Sequence, residues 1–308
     1  MRYSSVTLHQ KIQTSGIWLT MQLHLLVLIF AATTILGRLT SVSTGVLVSW
    51  RCAVAAVGAA LWCLWVKRKS LGLERVAGLK LLGIGAVIGL HWLCLFGAVK
   101  VANVSIALAG LATLSLFTAM TEPLMMGRKP RAGEIFLGLI ALAGILLIAG
   151  VETRHAIGLG LALMSALLAA IFMVMNRKVV VAGADPMVMV AWEMSAAAAV
   201  SAVSIPLVGE ENWQALWITS AMDWLWIVLL AVVCTVFAQA WTNHLLRSVS
   251  AFSFNLTANF EPVYGMAAAA IIFGENEQVR PAFYGGAVLI ALSNVLQPWL
   301  QRRCSTEA

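Results

Sequence analysis

LLGIGAVIGLHWLCLFGAV, residues 81–99, runs for 19 positions without an Asp, Glu, Lys or Arg. An α-helix rises about 1.5 Å per residue, so a helix of this length crosses the roughly 30 Å hydrocarbon core of a bilayer. The stretch therefore predicts a membrane-spanning helix. Runs of the same kind recur along the chain and predict ten spans: 21–38, 45–66, 80–99, 101–127, 134–151, 156–176, 187–208, 223–247, 249–273 and 281–300.

The composition is typical of a chain whose main solvent is lipid. The 308 residues are 61% hydrophobic and 11% charged, and their mean hydropathy is +0.92, which excludes an ordinary soluble protein. Ten spans of about 20 residues leave only short connections and no separate soluble domain. The net charge of +7 does not indicate a nucleic-acid partner, because Lys and Arg lie between the hydrophobic runs and form no basic surface interleaved with aromatic residues.

The positions of the basic residues predict the orientation of the chain in the membrane. With a cytoplasmic N-terminus, 15 of the 20 Lys and Arg residues fall in cytoplasmic segments, as the positive-inside rule requires. The first hydrophobic run is interpreted as an uncleaved helix rather than a signal peptide. We therefore expect a multi-pass protein of a bacterial-type inner membrane, with a cytoplasmic segment 1–20 and a cytoplasmic tail 301–308. The sequence does not indicate an oligomeric state.

The two halves of the chain repeat each other. Val48-Ser49-Trp50-Arg51 in the second span resembles Val190-Ala191-Trp192-Glu193 in the seventh. Three further pairs share one offset, since 247 − 100, 283 − 136 and 285 − 138 all give 147. These pairs are Lys100 and Arg247, Phe136 and Phe283, and Gly138 and Gly285. A duplication is the simplest explanation of this pattern.

Each repeat contains five predicted spans, within residues 21–151 and 156–300. Because five is odd, the second repeat must enter the membrane from the opposite side to the first. The predicted fold is thus an all-α membrane protein with ten transmembrane helices in a five-plus-five inverted repeat. This architecture favours alternating access between inward-open and outward-open states, although a duplication would also serve simply to build a stable bundle.

Short motifs near the middle of both repeats carry a family resemblance. The second repeat contains Phe260-Glu261-Pro262-Val263 and Phe273-Gly274-Glu275, and the first contains Asn103-Val104-Ser105 and Leu116-Phe117-Thr118-Ala119. Over residues 20–300 the chain resembles the EamA-type transporters of the drug/metabolite transporter superfamily. The resemblance implies a ten-helix fold, a central cavity formed mainly by the third, fourth, eighth and ninth spans, and export of a metabolite or amino acid.

The first repeat departs from the family pattern at the end of its fourth span. Gly127-Arg128 stands where that family often has Gly-Glu, and Glu122-Pro123 lies eight residues later in its repeat than Glu261-Pro262 does. The two Glu-Pro pairs are therefore not symmetry mates. Glu122 inherits no role from Glu261 on the ground of symmetry.

Polar side chains inside spans are costly and usually face the bundle interior or a wet cavity. Secondary transporters usually hold their substrate in such a polar layer near the midplane. Counting along the third, fourth, eighth and ninth spans places several candidates for the substrate path near this depth. They are His91, Trp92, Thr113, Ser115, Gln239, Asn255 and Asn259.

The ninth span offers two alternative faces. Asn255 and Asn259 lie one turn apart, and Pro262 frees the carbonyl of Ala258, which bends the helix. The Asn stripe is interpreted as facing the path, with hydrogen bonds between helices as the alternative. Glu261 is predicted on roughly the opposite face, where a structural role is favoured over a functional one.

The remaining candidates also have two interpretations each. His91 makes a coupled proton a candidate partner, because imidazole titrates near neutral pH; the alternative is a neutral ring that bonds a neighbouring helix. Trp92 suits stacking on a ligand as well as core packing. Arg51 in the outer half of its span and Glu193 in the inner half are not expected to pair. With Glu122 and Glu261, they are candidates for gating or structural charges.

The motifs of soluble catalysis are missing from the sequence. It has no H-E-x-x-H, no G-x-S-x-G and no P-loop, and its five cysteines form no C-x-x-C pair. We therefore predict no catalytic residue, metal or cofactor. The favoured function is a secondary transporter of a small neutral or zwitterionic metabolite, such as an amino acid, with the bilayer and this substrate as partners. A membrane-embedded enzyme and a channel-like permease are the alternatives.

Overall fold

A computed structural model describes residues 3–149, 156–208, 212–217, 220–273 and 281–306. These residues are helical apart from short connections and include no β-strand. The helix Thr44–Leu61 continues into a π-helical turn at Trp62–Val66, and a second π-helical turn, Val232–Phe237, joins the helices Ala221–Ala231 and Ala238–Leu245. The α-helices are α1 (Tyr3–Leu39), α2 (Thr44–Leu61), α3 (Arg75–Val101), α4 (Val104–Leu111), α5 (Leu114–Met126), α6 (Ala132–Ala149), α7 (Ala156–Val181), α8 (Pro186–Val208), α9 (Ala221–Ala231), α10 (Ala238–Leu245), α11 (Ala251–Ala258), α12 (Glu261–Phe273) and α13 (Pro281–Thr306).

Six helical stretches in the described part of the chain are long and apolar enough to cross a membrane. They lie within α1, α2, α3, α7, α8 and the continuous run from α9 to α10, while α6 and α13 contain shorter apolar segments. The first apolar stretch begins at Gly16 rather than at the predicted residue 21, because α1 is continuous from Tyr3. The predicted fourth and ninth spans are each divided into two helices, α4 with α5 and α11 with α12.

The two divided spans are interrupted at equivalent positions of the two repeats. The first interruption follows Leu111 and the second follows Ala258, and 258 − 111 again gives 147. The N-caps that start α4 and α11, Asn103 and Ser250, have the same spacing, since 250 − 103 is 147. The interruptions are thus a property of the repeat.

Local chemistry explains the second interruption more fully than the first. The N–H groups of Asn259 and Phe260 bond carbonyls three residues earlier, as in a tight turn. They lie just before Pro262, whose ring nitrogen has no hydrogen to donate to the Ala258 carbonyl. The predicted bend therefore occurs at this place. At the first interruption no proline follows, and the Thr113 hydroxyl bonds the Gly110 carbonyl at 2.7 Å instead.

Two tryptophans tie each repeat to a connection of the other. Trp50 Nε1 on α2 donates to the Leu216 carbonyl at 2.9 Å, and Trp192 Nε1 on α8 donates to the Leu71 carbonyl at 3.0 Å. Leu71 lies in the connection after α2, and Leu216 lies in the connection after α8. The exchange is reciprocal, as expected of two repeats related by two-fold pseudosymmetry.

Close helix approach brings the repeats together, with α2 against α8 and α3 against α7 and α8. At Gly85 on α3, a Cβ would lie 2.1 Å from the carbonyl oxygen of Glu193 on α8. A Cβ at Gly83, on the same helix, would have no heavy atom within 4 Å. Only the first of these glycines is therefore needed for packing.

The bundle is apolar outside and contains polar groups inside. Leu124, Leu207 and Ile271 are 73%, 75% and 85% exposed, although such side chains would be costly to leave in water. Arg51 and Glu193, by contrast, are buried at 1% and 0% exposure. This distribution is that of a multi-pass membrane protein whose outer surface contacts lipid.

Candidate substrate cavity

A cavity lies at the centre of the bundle between the two repeats. Its volume is about 80 Å³. This is room for several water molecules or for part of a small metabolite. The cavity is lined by Phe30, Thr33, Arg51, His91, Trp92, Leu95, Leu111, Leu114, Ala169, Phe172, Met173, Cys234, Gln239, Thr242, Phe254, Asn255, Ala258 and Glu261.

Both helix interruptions face this cavity. Leu111 and Leu114 flank the first interruption, Ala258 and Glu261 flank the second, and all four line the cavity wall. Irregular backbone at membrane depth is tolerated where it borders a cavity or is buried in protein. The equivalent interruptions therefore place a matched pair of irregular segments on the cavity wall.

Arg51 supplies a buried positive charge to the cavity wall. Its Nε donates to the Thr235 hydroxyl at 2.7 Å, and one terminal nitrogen donates to the Cys234 carbonyl at 3.2 Å. The guanidinium stacks on the Trp92 ring, 4.1 Å from the ring centroid, an arrangement that stabilises a cation. The other terminal nitrogen, Nη1, is buried and has no partner among the described residues.

His91 is bonded to a neighbouring helix, as one of its two interpretations expects. Its Nδ1 lies 2.9 Å from the Ser165 carbonyl oxygen and 2.8 Å from the Ser165 hydroxyl. A carbonyl oxygen only accepts, so this contact favours the tautomer with hydrogen on Nδ1. The ring also packs against Phe172 at 5.4 Å between centroids. The imidazole is thus held in place while it lines the cavity.

The ninth span contributes Asn255 and Glu261 to the same cavity, although helical spacing predicted that they face opposite ways. The structure differs because the helix stops after Ala258 and starts again at Glu261. The rotation per residue of a continuous helix therefore does not predict the relative directions of Asn255 and Glu261. Glu261 is 7% exposed, and the Thr34 hydroxyl is a polar neighbour of its carboxyl group.

Both asparagines of the predicted stripe also bond the fourth span. Asn255 Nδ2 donates to the Thr118 hydroxyl at 2.8 Å, and Asn259 Nδ2 donates to the Ser115 hydroxyl at 2.8 Å. Asn259, Ser115 and Thr113 do not belong to the cavity lining. Asn255 thus both lines the cavity and bonds a neighbouring helix, which are the two roles predicted for the Asn stripe. Asn259 only bonds the neighbouring helix.

Glu193 lies beside the cavity rather than on its wall. Asn176 Nδ2 donates to Glu193 Oε2 at 3.5 Å, and the amides of Gln239 and Asn243 also face the carboxyl group. Gln239 additionally lines the cavity. Arg51 and Glu193 therefore have separate partners, in agreement with the expectation that they do not pair.

Glu122 lies away from the central cavity, where α5 approaches the start of α11. Its two carboxylate oxygens accept from the N–H groups of Ala251 and Phe252 at 3.3 and 2.8 Å. Arg128 and Arg177 lie 3.7 and 3.6 Å from it. The carboxylate thus stabilises the N-terminus of α11, where anions are favoured.

A charged connection completes the same side of the molecule. Lys69, after α2, forms an ion pair with Asp185, the residue before α8. Partial burial opposes ionisation of this carboxyl, but the Lys69 ammonium and the backbone N–H groups of Met187 and Val188 outweigh it and hold the pKa of Asp185 below its ordinary value. The carboxylate is therefore charged at neutral pH and exposed enough for the pair to contribute little stability.

Several of the predicted residues line the cavity, and two helices that complete its wall were not expected. His91, Trp92, Gln239 and Asn255 were expected near the substrate path, and all four line the cavity. Arg51 on α2, a candidate for a gating or structural charge, lines the cavity as well. The contributions of α1 and α7 were not expected, because their lining residues are mostly apolar and look like core. These are Phe30, Thr33, Ala169, Phe172 and Met173. Within the described ranges, no group of three or more His, Cys, Asp or Glu side chains is placed to hold a metal ion.

Comparisons with known proteins identify the family and the fold of the chain. The model of the EamA-like transporter family matches residues 16–150 and 156–296, which is most of the chain in two consecutive copies. A solved crystal structure, described only as that of a protein, superposes with a TM-score of 0.72 and 17% sequence identity over 94% of this chain and 99% of the other. At this identity the likeness establishes the fold alone. No curated protein matches the chain.

Proposed function

The chain belongs to the EamA-like transporter family, and from this premise we propose that it is a secondary active transporter rather than an enzyme or a channel. It exports a small neutral or zwitterionic metabolite, such as an amino acid, by alternating access. In the proposed topology ten helical segments span the inner membrane with both termini in the cytoplasm, when α4 with α5, α9 with α10 and α11 with α12 are each counted as one.

The observation that carries the proposal is the pair of equivalent helix interruptions on the wall of one central cavity. Transporters built from inverted repeats bind their substrate near the midplane where discontinuous helices from the two repeats meet. A rocking motion of one repeat against the other then exposes such a site to each side in turn. The hydrogen bonds of Trp50 and Trp192 support alternating access, because the two bonds lie at opposite ends of the bundle in the proposed topology.

The charges on the cavity wall favour a zwitterion as the substrate. Arg51 offers a buried donor, Nη1, without a partner, and Glu261 offers a carboxyl group on the same wall. No ion pair joins either side chain to another residue within the described ranges. A substrate carboxylate bound at Arg51 and a substrate ammonium bound at Glu261 would give each side chain an oppositely charged partner, since buried charges are costly unless paired. The apolar lining, including Phe172 and Met173, suits the remainder of an amino acid.

The test is uptake by purified protein in liposomes, measured as saturable exchange of a radiolabelled amino acid. Unlabelled amino acids should compete, whereas their methyl esters and N-acetyl derivatives, which each lack one charge, should compete poorly. Arg51→Gln should weaken competition by about ten- to a hundred-fold, because a hydrogen bond to a charged group contributes roughly 1.5 to 3 kcal/mol. Arg177→Gln, outside the cavity, is the matched control. Uptake that does not saturate, or chemical turnover without translocation, would refute the proposal.

The topology has its own test. A cysteine at position 70, in the connection after α2, should be protected from impermeant thiol reagents in intact cells. A cysteine at position 214, in the connection after α8, should be labelled. The reverse pattern would show that the predicted orientation is wrong.

A further inference from the structure

Four polar side chains form a cluster beside the cavity, which we call the Glu193 cluster. Its members are Glu193 on α8, Asn176 on α7, and Gln239 and Asn243 on α10. Asn176, Glu193 and Asn243 are 0% exposed, and Gln239 is 7% exposed. No position in the cluster contacts solvent to any useful extent, so its polar atoms must find partners inside the protein or in a bound species.

Most of these polar atoms have no partner. Three oxygens are buried and unpaired among the described residues: Glu193 Oε1, Asn176 Oδ1 and Asn243 Oδ1. The amide nitrogens of Gln239 and Asn243 are unpaired as well, although both side chains face the carboxyl group. Native proteins leave few buried polar atoms unsatisfied, and the absence of water inside a bilayer makes each more costly. Three acceptor oxygens without a donor in one cluster indicate a site built for a missing cation, while the two amide nitrogens are donors on side chains that face the carboxyl group.

The chemistry of the cluster selects the occupant. Its ligands are oxygens, which hard cations prefer over nitrogen and sulfur. It carries a single carboxylate, and within the described ranges no Lys, Arg or His forms an ion pair with Glu193. Arg51, which occupies the equivalent place in the first repeat, is instead bonded to Thr235 and Cys234. One positive charge would neutralise the cluster, whereas a divalent ion would leave an excess charge in a buried site.

We propose that the Glu193 cluster binds one sodium ion through Glu193 Oε1, Asn176 Oδ1 and Asn243 Oδ1, with water completing the coordination. The site draws its ligands from three helices of the second repeat, α7, α8 and α10, so a bound ion links these three helices. Gly85 keeps α3 in direct contact with the Glu193 backbone, which holds the carboxylate-bearing turn of α8 in place.

Gln239 connects the sodium site to the substrate cavity. Its side chain faces Glu193 and also lines the cavity wall, so an ion that reorients this amide changes the surface offered to the substrate. Coupling of this kind is reciprocal: the ion raises the affinity for substrate by the same factor that the substrate raises the affinity for the ion. This coupling rests on the proposed transport function, whereas binding of the ion does not.

Binding of radioactive sodium to the purified protein in detergent, without substrate or membrane, tests the site directly. Wild-type protein should bind it saturably, with displacement by unlabelled NaCl but not by choline chloride. Glu193→Gln keeps the shape of the side chain and should weaken sodium affinity at least tenfold. Glu134→Gln alters another buried carboxylate, which is bonded to Arg128 instead, and should leave sodium binding unchanged.

Several results would overturn the proposal. One is wild-type protein that binds no sodium, and another is sodium binding that is unchanged in Glu193→Gln. A third is wild-type protein whose melting temperature changes with pH but not with NaCl. Should Glu193→Gln fail to fold, wild-type protein still provides the test, because its melting temperature must rise with NaCl and not with choline chloride at equal ionic strength. Protein that binds sodium but moves no amino acid would refute transport and leave the site intact, and sodium-independent transport without sodium binding would do the opposite.

Discussion

Replacement of Gly85 by alanine tests the close approach of the two repeats. The added Cβ would lie 2.1 Å from the Glu193 carbonyl oxygen and 2.7 Å from its Cα, whereas real contacts of this kind stay above 3.0 Å. The helices must therefore move apart by about 0.9 Å, since 3.0 − 2.1 gives 0.9. Backbone is displaced rather than a flexible side chain, and overpacking of this kind costs roughly 1 to 3 kcal/mol.

Alanine also favours the helix over glycine by about 1 kcal/mol, which would hide part of the loss. Gly83→Ala isolates this gain, because a Cβ at Gly83 meets no heavy atom within 4 Å. The gain in helix propensity is the same in both variants, so thermal unfolding in detergent, followed by size-exclusion chromatography of heated samples, should place Gly85→Ala below Gly83→Ala by about 1 to 3 kcal/mol, or several degrees. Equal melting temperatures for the two variants would refute the packing argument and the register of α3 against α8.

Three further predictions follow from individual side chains and their contacts. Asn259→Leu removes the bond to Ser115 and should lower the melting temperature by an amount equivalent to about 0.5 to 1.5 kcal/mol while liposome uptake persists; Asn255→Leu, at the cavity, should reduce uptake as well, and the reverse ranking would contradict the assignment. Trp50→Phe and Trp192→Phe should each lose about 1 kcal/mol by the same measurement, against no change for Trp217→Phe, whose side chain is 85% exposed; unequal losses would argue against two-fold pseudosymmetry. Glu122→Gln should cost about 1 to 3 kcal/mol in thermal unfolding because the amide cannot replace both charged hydrogen bonds to α11, and an unaltered melting temperature would show that the cap is dispensable.

Hydropathy predicted the helices because every backbone polar group in lipid must be bonded within its own helix, which makes long apolar runs helical. The family was confirmed by the match of both repeats. The interruption after Leu111 carries no proline or glycine at the break and was not predicted, since Ala112 and Thr113 do not exclude a helix. The partners of Arg51 and Glu193 were not predicted either, because they lie on other helices, and which side chains meet depends on how the helices rotate against one another.

The intertwining of the repeats has a consequence for biogenesis. Helices α2 and α3 bury their surfaces mainly against α7 and α8, and Arg51 bonds residues near position 235. During synthesis the first half therefore resides in the bilayer with an unpaired arginine until almost 200 later residues have emerged, since 235 − 51 gives 184. Each half alone should be a substrate for membrane quality-control proteases. The two halves, expressed as separate chains divided between residues 149 and 156, should stabilise each other and restore a full-length level of uptake.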